Sequence, residues 1–170
     1  AEQVPFRVGF TTHPHETYQL ARCRNEGVRA SVAPYLLFLD GDCLIPPDHL
    51  AHHLQRRRPG AVHAGYCALL DEATSNVIDV DMVRSGAFTK LASRTELEKL
   101  AKMDRKARLY NWLRHPTKPK MFGGNVGIHR TDYEAVNGYD EAYEGWGCED
   151  DDLRLRLRRS GRRIHSILRW

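Results

Sequence analysis

Apolar and polar residues fall into blocks along the chain, and the period changes from block to block. Residues 6–12 read as a short strand, and 15–30 carry a helical pattern with Tyr18, Leu20, Ala21 and Val28 at the apolar positions. Residues 35–39, Tyr-Leu-Leu-Phe-Leu, are a continuous apolar run, as in a strand covered on both faces. Pro46-Pro47 opens a helix, because a first turn does not need the missing N–H. Residues 61–70 read as a strand, 95–113 as a charged helix ending before Pro116, and 123–129 as another strand. Thr131 and Glu134 stand at capping-box spacing, which predicts a helix start at Thr131. Leu153, Leu155 and Leu157 alternate with arginines, a strand-like period. The acidic residues before them and Ser160-Gly161 after them favour a helix, which is the reading adopted. This order of elements predicts α/β layers around a mainly parallel sheet.

Composition adds limits. A chain of 170 residues suits one domain and buries enough surface to need no disulfide staples. No run of eighteen or more apolar residues occurs, and residues 1–5 have neither the basic start nor the apolar stretch of a signal peptide. Cys23, Cys43, Cys67 and Cys148 lack CxxC spacing, which argues against a zinc ribbon and fits a reducing cytoplasm. The net charge of +4 favours an anionic partner without choosing one. The arginine runs at 56–58 and 154–163 are expected to be solvated helix faces, as are His49, His52 and His53. His63 is read with them as solvated, and the four lack the glutamate of an HExxH zinc site.

Two acidic clusters carry candidate chemistry. Asp40-Gly41-Asp42 follows the apolar run, and ligands of open α/β sheets bind beyond strand carboxyl ends. Two carboxylates so spaced can share a hard cation with phosphates, since Mg²⁺ and Mn²⁺ prefer oxygen ligands. An Asp-Gly turn after a strand is the plain alternative. The second cluster is Gly145-Trp146-Gly147-Cys148-Glu149-Asp150-Asp151-Asp152. Adjacent carboxylates repel, so some need a cationic partner. One of them could act as a general base, and Trp146 offers a flat face to a sugar ring. A plain helix start, with acids favouring the dipole and pairing with Arg154 and Arg156, explains part of the cluster but not its flanking glycines and tryptophan.

Together with Phe122-Gly123-Gly124-Asn125 and Asn137-Gly138-Tyr139-Asp140 between them, these clusters resemble GT-A glycosyltransferases of the family 2 and β-1,4-galactosyltransferase types. The likeness runs from about Tyr18 to Ile164. It implies a Rossmann-like α/β fold, with residues 1–170 a partial catalytic domain that is incomplete at both ends. The family's nucleotide-binding strands would lie upstream, and its histidine metal ligand after the last strand, for which His165 comes too early.

By the same resemblance Asp42 holds a Mn²⁺ or Mg²⁺ ion, and Asp40 lies by the nucleotide's ribose or the metal. Gly123 and Gly124 line the donor, Trp146 contacts donor and acceptor sugars, Glu149 and Asp151 position acceptor hydroxyls, and Asp150 is the catalytic base. Cys23-Arg24-Asn25-Glu26-Gly27 is similar to the family's ARNxG segment, which nominates Arg24 and Asn25 for the donor. Cys148 departs from the WGGEDDD signature by replacing its second glycine.

The implied activity is inverting transfer of a hexose or N-acetylhexosamine from a UDP-sugar to a saccharide or glycolipid, in bacterial surface polysaccharide synthesis. It is expected in the cytoplasm or peripherally at the inner face of the plasma membrane. An inactive carbohydrate-binding relative is the alternative. A nucleic-acid-binding module would leave both acidic clusters unexplained, so nucleic acid is not an expected partner.

Overall fold

A computed structural model describes residues 6–14 and 17–168. Its elements are α1 (Leu20–Arg29), β1 (Tyr35–Leu39), α2 (His49–Arg56), β2 (Ala61–Ala64), α3 (Glu72–Asn76), α4 (Val80–Ser85), α5 (Arg94–Trp112), β3 (Asn125–His129), α6 (Arg130–Glu134), α7 (Glu149–Arg159) and β4 (Arg163–Ser166). A 3₁₀ turn at Ala87–Leu91 separates α4 from α5. No helix among the described residues is long and apolar enough to cross a membrane.

The four strands form one sheet in the order β1-β3-β2-β4. β3 runs antiparallel to both β1 and β2, and only β2 and β4 are parallel. The expected mainly parallel sheet is therefore a mixed one. The long stretch from β2 to β3 returns the chain along β2 in the opposite direction, a reversal that apolar periodicity does not record. One consequence matters for chemistry: the carboxyl ends of β1 and β2 and the amino end of β3 share one edge.

Burial explains the elements that form. In α1 the buried residues are Ala21, Arg24, Asn25 and Val28, the spacing of one helical face. In α7, Leu153 and Leu157 are buried one turn apart and Leu155 is not, which settles the strand-or-helix ambiguity in favour of the helix. They join Val62, Val126, Ile128, Ile164 and Met121 in the core beneath the sheet. α5 opens on Ser93, whose hydroxyl accepts from the Glu96 amide at 3.2 Å.

Several expectations are corrected. Residues 6–12 form no strand and are exposed; with no strand beside them among the described residues, their backbone has no ladder to join. The first helix starts at Leu20, and the expected start at residue 15 lies outside the described residues. β1 is an edge strand, so its apolar run is only partly covered. Helix α2 begins two residues beyond Pro47, and β2 ends at Ala64 rather than residue 70. Thr131 lies inside α6, whose N-cap is His129 without a side-chain cap, so the capping box does not form.

The arginine run of α7 is not a solvated face. Arg154 pairs with Asp151 at 3.0 Å and donates to the Thr117 carbonyl. Arg156 donates to the Val136 and Gly138 carbonyls, and Arg158 to those of His115 and Pro116. Arg162 pairs with Asp132 at 3.0 Å. These guanidiniums satisfy loop carbonyls that no strand or helix reaches, the demand that buried backbone imposes.

Candidate active site

The shared sheet edge brings the two acidic clusters together. The β1–β3 ladder continues past β1, with the Asp40 amide donating to the Gly124 carbonyl at 3.3 Å. A turn follows, closed by the Cys43 amide on the Asp40 carbonyl at 3.1 Å, and it presents Asp42 to solvent. On the other side of Gly123, the first turn of α7 places Asp150 so that its Oδ2 accepts from the Gly123 amide at 2.8 Å.

Arg24 joins the clusters. Its Nη2 donates to Asp40 Oδ1 at 2.9 Å, and its Nη1 to Asp150 Oδ1 at 2.9 Å and to the Tyr139 hydroxyl at 3.1 Å. The side chain is only 8% exposed. Burial by itself would lower its pKa. The fields of the Tyr139 oxygen and of the Asp150 and Asp40 carboxylates outweigh that, so the guanidinium is held above its ordinary value. Tyr139 donates its own hydroxyl to Asp150 Oδ1 at 3.0 Å, and its burial pushes its pKa well up, keeping the proton on.

An ionised carboxylate offers about four lone-pair sites. Three donors reach Asp150, from Arg24, Tyr139 and Gly123, so it is fixed in orientation with room for one further donor.

This packing accounts for the paired glycines. A Cβ on Gly123 would lie 2.1 Å from Arg24 Nη1 and 2.3 Å from Asp150 Oδ1, and one on Gly124 would lie 2.5 Å from Asp40 Oδ2. The space a side chain would fill is taken by the chain's own charged groups.

Asn25 is buried one residue from Arg24. Its amide donates to the Tyr139 carbonyl at 2.9 Å and to Glu141 at 2.7 Å, while its oxygen accepts from the Tyr133 hydroxyl and the Tyr139 amide. These hydrogen bonds are spent inside the chain, two of them on the Tyr139 backbone and the others on Glu141 and Tyr133.

The rest of the second cluster divides. Asp151 lies between Arg154 and Lys120, and Asp152 pairs with Arg156 at 2.6 Å, so cationic partners relieve the expected repulsion. Glu149 is 6% exposed, and its Oε2 has no hydrogen-bond partner among the described residues. Trp146 is 90% exposed, on a loop whose neighbours Gly145, Gly147 and Cys148 all have positive φ. Cys148 is the one non-glycine among them, at φ 76°, a left-handed conformation that favours glycine. The glycine of the WGGEDDD signature is thus the residue this backbone suits.

Sequence reasoning missed the group behind the first cluster. His53 and His63 are 1% and 4% exposed, not solvated. Asn125 Oδ1, at the start of β3, faces His49 Nε2 at 3.0 Å and His53 Nε2 at 3.3 Å, and His53 Nδ1 faces the Tyr35 hydroxyl at 3.3 Å. Burial drives the His53 pKa down to about 4, helped by neighbouring His49. It drives that of His63 to about 4, helped by His165 and Arg58. The i, i+4 spacing of His49 and His53 was a visible signal, but only the position of β3 shows that it points inward.

The described residues contain no group of three His, Cys, Asp or Glu side chains that could hold a metal ion. Asp42 remains exposed, and among the described residues its hydrogen-bonding contact is the Cys43 thiol at 3.8 Å. That donor set suits a hard cation shared with a ligand's phosphates, and does not suit a closed protein site.

Comparison with known families gives two matches in chain order. Residues 2–65 match glycosyl transferase family 2, and residues 104–168 match the N-terminal domain of galactosyltransferase. Residues 66–103, with α3, α4 and the start of α5, fall between them. Beta-1,4-galactosyltransferase 4 of Rattus norvegicus is 53% identical over 38 residues, 22% of this chain and 11% of that protein. Beta-1,4-galactosyltransferase 3 of Homo sapiens is 41% identical over 46 residues, 27% of this chain and 12% of that protein. A beta-N-acetyl-D-glucosaminide beta-1,4-N-acetylglucosaminyl-transferase of Lymnaea stagnalis is 53% identical over 36 residues, 21% of this chain and 7% of that protein. The chain thus aligns with about a tenth of the length of these relatives. They are animal proteins, which lends nothing to the expected bacterial setting. The chain is thus similar to glycosyltransferases on both sides of its middle: to family 2 through β2, and to the galactosyltransferase domain from α5 through β4.

Proposed function

We propose that this chain is the catalytic part of a GT-A, metal-dependent, inverting glycosyltransferase that moves a hexose or N-acetylhexosamine from a UDP-sugar to a saccharide or glycolipid hydroxyl. The observation that carries the reading is Arg24, whose guanidinium spans Asp40 on one side and Asp150 on the other. The turn that carries Asp42 and the Asp150 carboxylate are therefore held on two sides of one guanidinium, an arrangement in keeping with a displacement in which leaving group and nucleophile approach from opposite sides. The names of the relatives cover both galactosyl and N-acetylglucosaminyl transfer, in keeping with this range of donors.

In this mechanism Asp42, with Asp40 beside it, would hold a Mn²⁺ or Mg²⁺ ion, which would supply charge neutralisation for a leaving diphosphate. Asp150 accepts the acceptor hydroxyl's proton on its remaining lone pair, oriented by Gly123, Tyr139 and Arg24. Trp146 and Glu149 supply an apolar face and a carboxylate on the acceptor side, and Asp151 borders them.

The test is calorimetry of UDP binding to the full-length protein, with and without Mn²⁺. Binding that requires the cation and is lost in Asp42→Ala supports the donor site. Equal binding in that variant would refute the assignment.

A further inference from the structure

Two cysteines far apart in sequence meet at the first acidic turn. Cys43 directly follows Asp42, and Cys67 lies three residues beyond β2. Their sulfurs are 3.6 Å apart, already in thiol–thiol contact. The same Cys43 thiol lies 3.8 Å from Asp42 Oδ1. Cys67 is exposed and Cys43 half-buried beneath it, while Cys23 and Cys148 are exposed with no cysteine in contact with them. The backbone on both sides is anchored close by: the Cys43 amide bonds the Asp40 carbonyl at 3.1 Å, and Gly65 bonds the Asn125 carbonyl at 2.8 Å. The pair thus joins two short, tethered segments at the sheet edge that carries the acidic turn.

We propose that Cys43 and Cys67 are a reversible redox site, closed by a small-molecule disulfide such as oxidised glutathione, and that closure ties down the Asp42 turn. In the first step the accessible Cys67 sulfur, as thiolate, attacks the reagent disulfide, forms a mixed S–S bond and expels one thiolate. In the second, the Cys43 sulfur attacks Cys67 Sγ, forms the protein disulfide and expels the other. Two protein thiols are oxidised, one reagent disulfide is reduced to two thiols, and the two protons end on those thiols.

Closure draws the sulfurs from contact to bonding distance, roughly 2.05 Å. It removes the S–H beside Asp42 and pulls on the residue next to its carboxylate. The effect on donor binding rests on the proposed metal–diphosphate site; formation of the bridge does not.

The experiment treats the reduced full-length protein with oxidised glutathione, counts free thiols and maps cysteine peptides. The expected result is the loss of two free thiols, with peptides containing Cys43 and Cys67 joined, and reversal by dithiothreitol. The bridge closes a loop of about 25 residues, so thermal unfolding should move up on the order of 5–10 °C. Cys67→Ser should lose both effects, and Cys23→Ser should keep them. Glutathione retained on Cys67 without closure, or a bridge elsewhere, would overturn the proposal. Calorimetry with Mn²⁺ and UDP then tests the consequence: the oxidised form should bind about fivefold or more weakly, with Cys67→Ser indifferent to oxidation. Equal affinity of the two forms would overturn the regulatory role. Absence of binding in the reduced protein would instead count against the proposed donor site, leaving the thiol count to decide the bridge.

Discussion

The two acidic regions have similar composition and opposite environments. Asp42 sits on an exposed turn with a single weak thiol contact, and its carboxylate is available to something outside the chain. The carboxylates from Asp150 to Asp152 each have a cation: Arg24, then Arg154 with Lys120, then Arg156. A run of acids in sequence therefore says little about which of them is free to bind. From Asp150 to Asp152 the richer cluster is the more satisfied one, because its own helix carries Arg154 and Arg156 and α1 supplies Arg24. In the sparser pair Asp40 is held by Arg24, and Asp42 keeps the open valence.

The sharpest way to break this contrast is Asp150→Asn. It keeps the shape and much of the hydrogen bonding but removes the proton acceptor. Transfer to an acceptor sugar should fall by about 10²- to 10⁴-fold while Mn²⁺-dependent UDP binding persists, measured by product assay and calorimetry. Loss of donor binding in that variant would mean that Asp150 serves the donor side.

Arg24→Met removes the cation both regions share. It leaves Asp40 and Asp150 close together without compensation, at a cost of about 3 kcal/mol, seen as a melting-temperature drop of roughly 6–12 °C. A drop much smaller than that would show that the clusters do not depend on this link.

Acid distinguishes the regions differently. Behind the first turn, His53 and His63 are buried with pKa values near 4, below the ordinary 6.5. Between those values the unfolded chain binds more protons than the folded one. Stability is therefore intact above about pH 6.5, declines as pH falls, and levels off below about pH 4. The loss is on the order of 3 kcal/mol for each histidine, because each tenfold weakening of proton binding is worth about 1.4 kcal/mol. Denaturant melts across this range should lose most of that dependence in a His53→Gln, His63→Gln variant.

The smallest effect belongs to the Trp146 loop. Cys148→Gly relieves the left-handed backbone at φ 76° and should stabilise the protein by about 1 kcal/mol in denaturant titration. A destabilisation would show that the cysteine side chain contributes contacts worth more than the strain.

What the sequence determined by itself was local. The β1 apolar run, the α5 and α7 helices and the β3 strand were legible because period, length and terminal residues act within a few positions. Both acidic motifs were legible for the same reason, and so was their order around Gly123-Gly124. The sequence also showed that Cys148 stands where the galactosyltransferase signature has glycine, though not that the backbone there is left-handed.

The tertiary structure decided the rest. Strand direction in the sheet depends on how the long β2–β3 connection returns, so the mixed sheet lay outside any local pattern. Arg24 bridges residues 16 and 126 positions away, Cys43 meets Cys67 across 24, and His53 meets Asn125 across 72. Such pairings exist only after the chain has closed, because burial of the α1 and α7 faces against one sheet fixes which polar groups must satisfy one another.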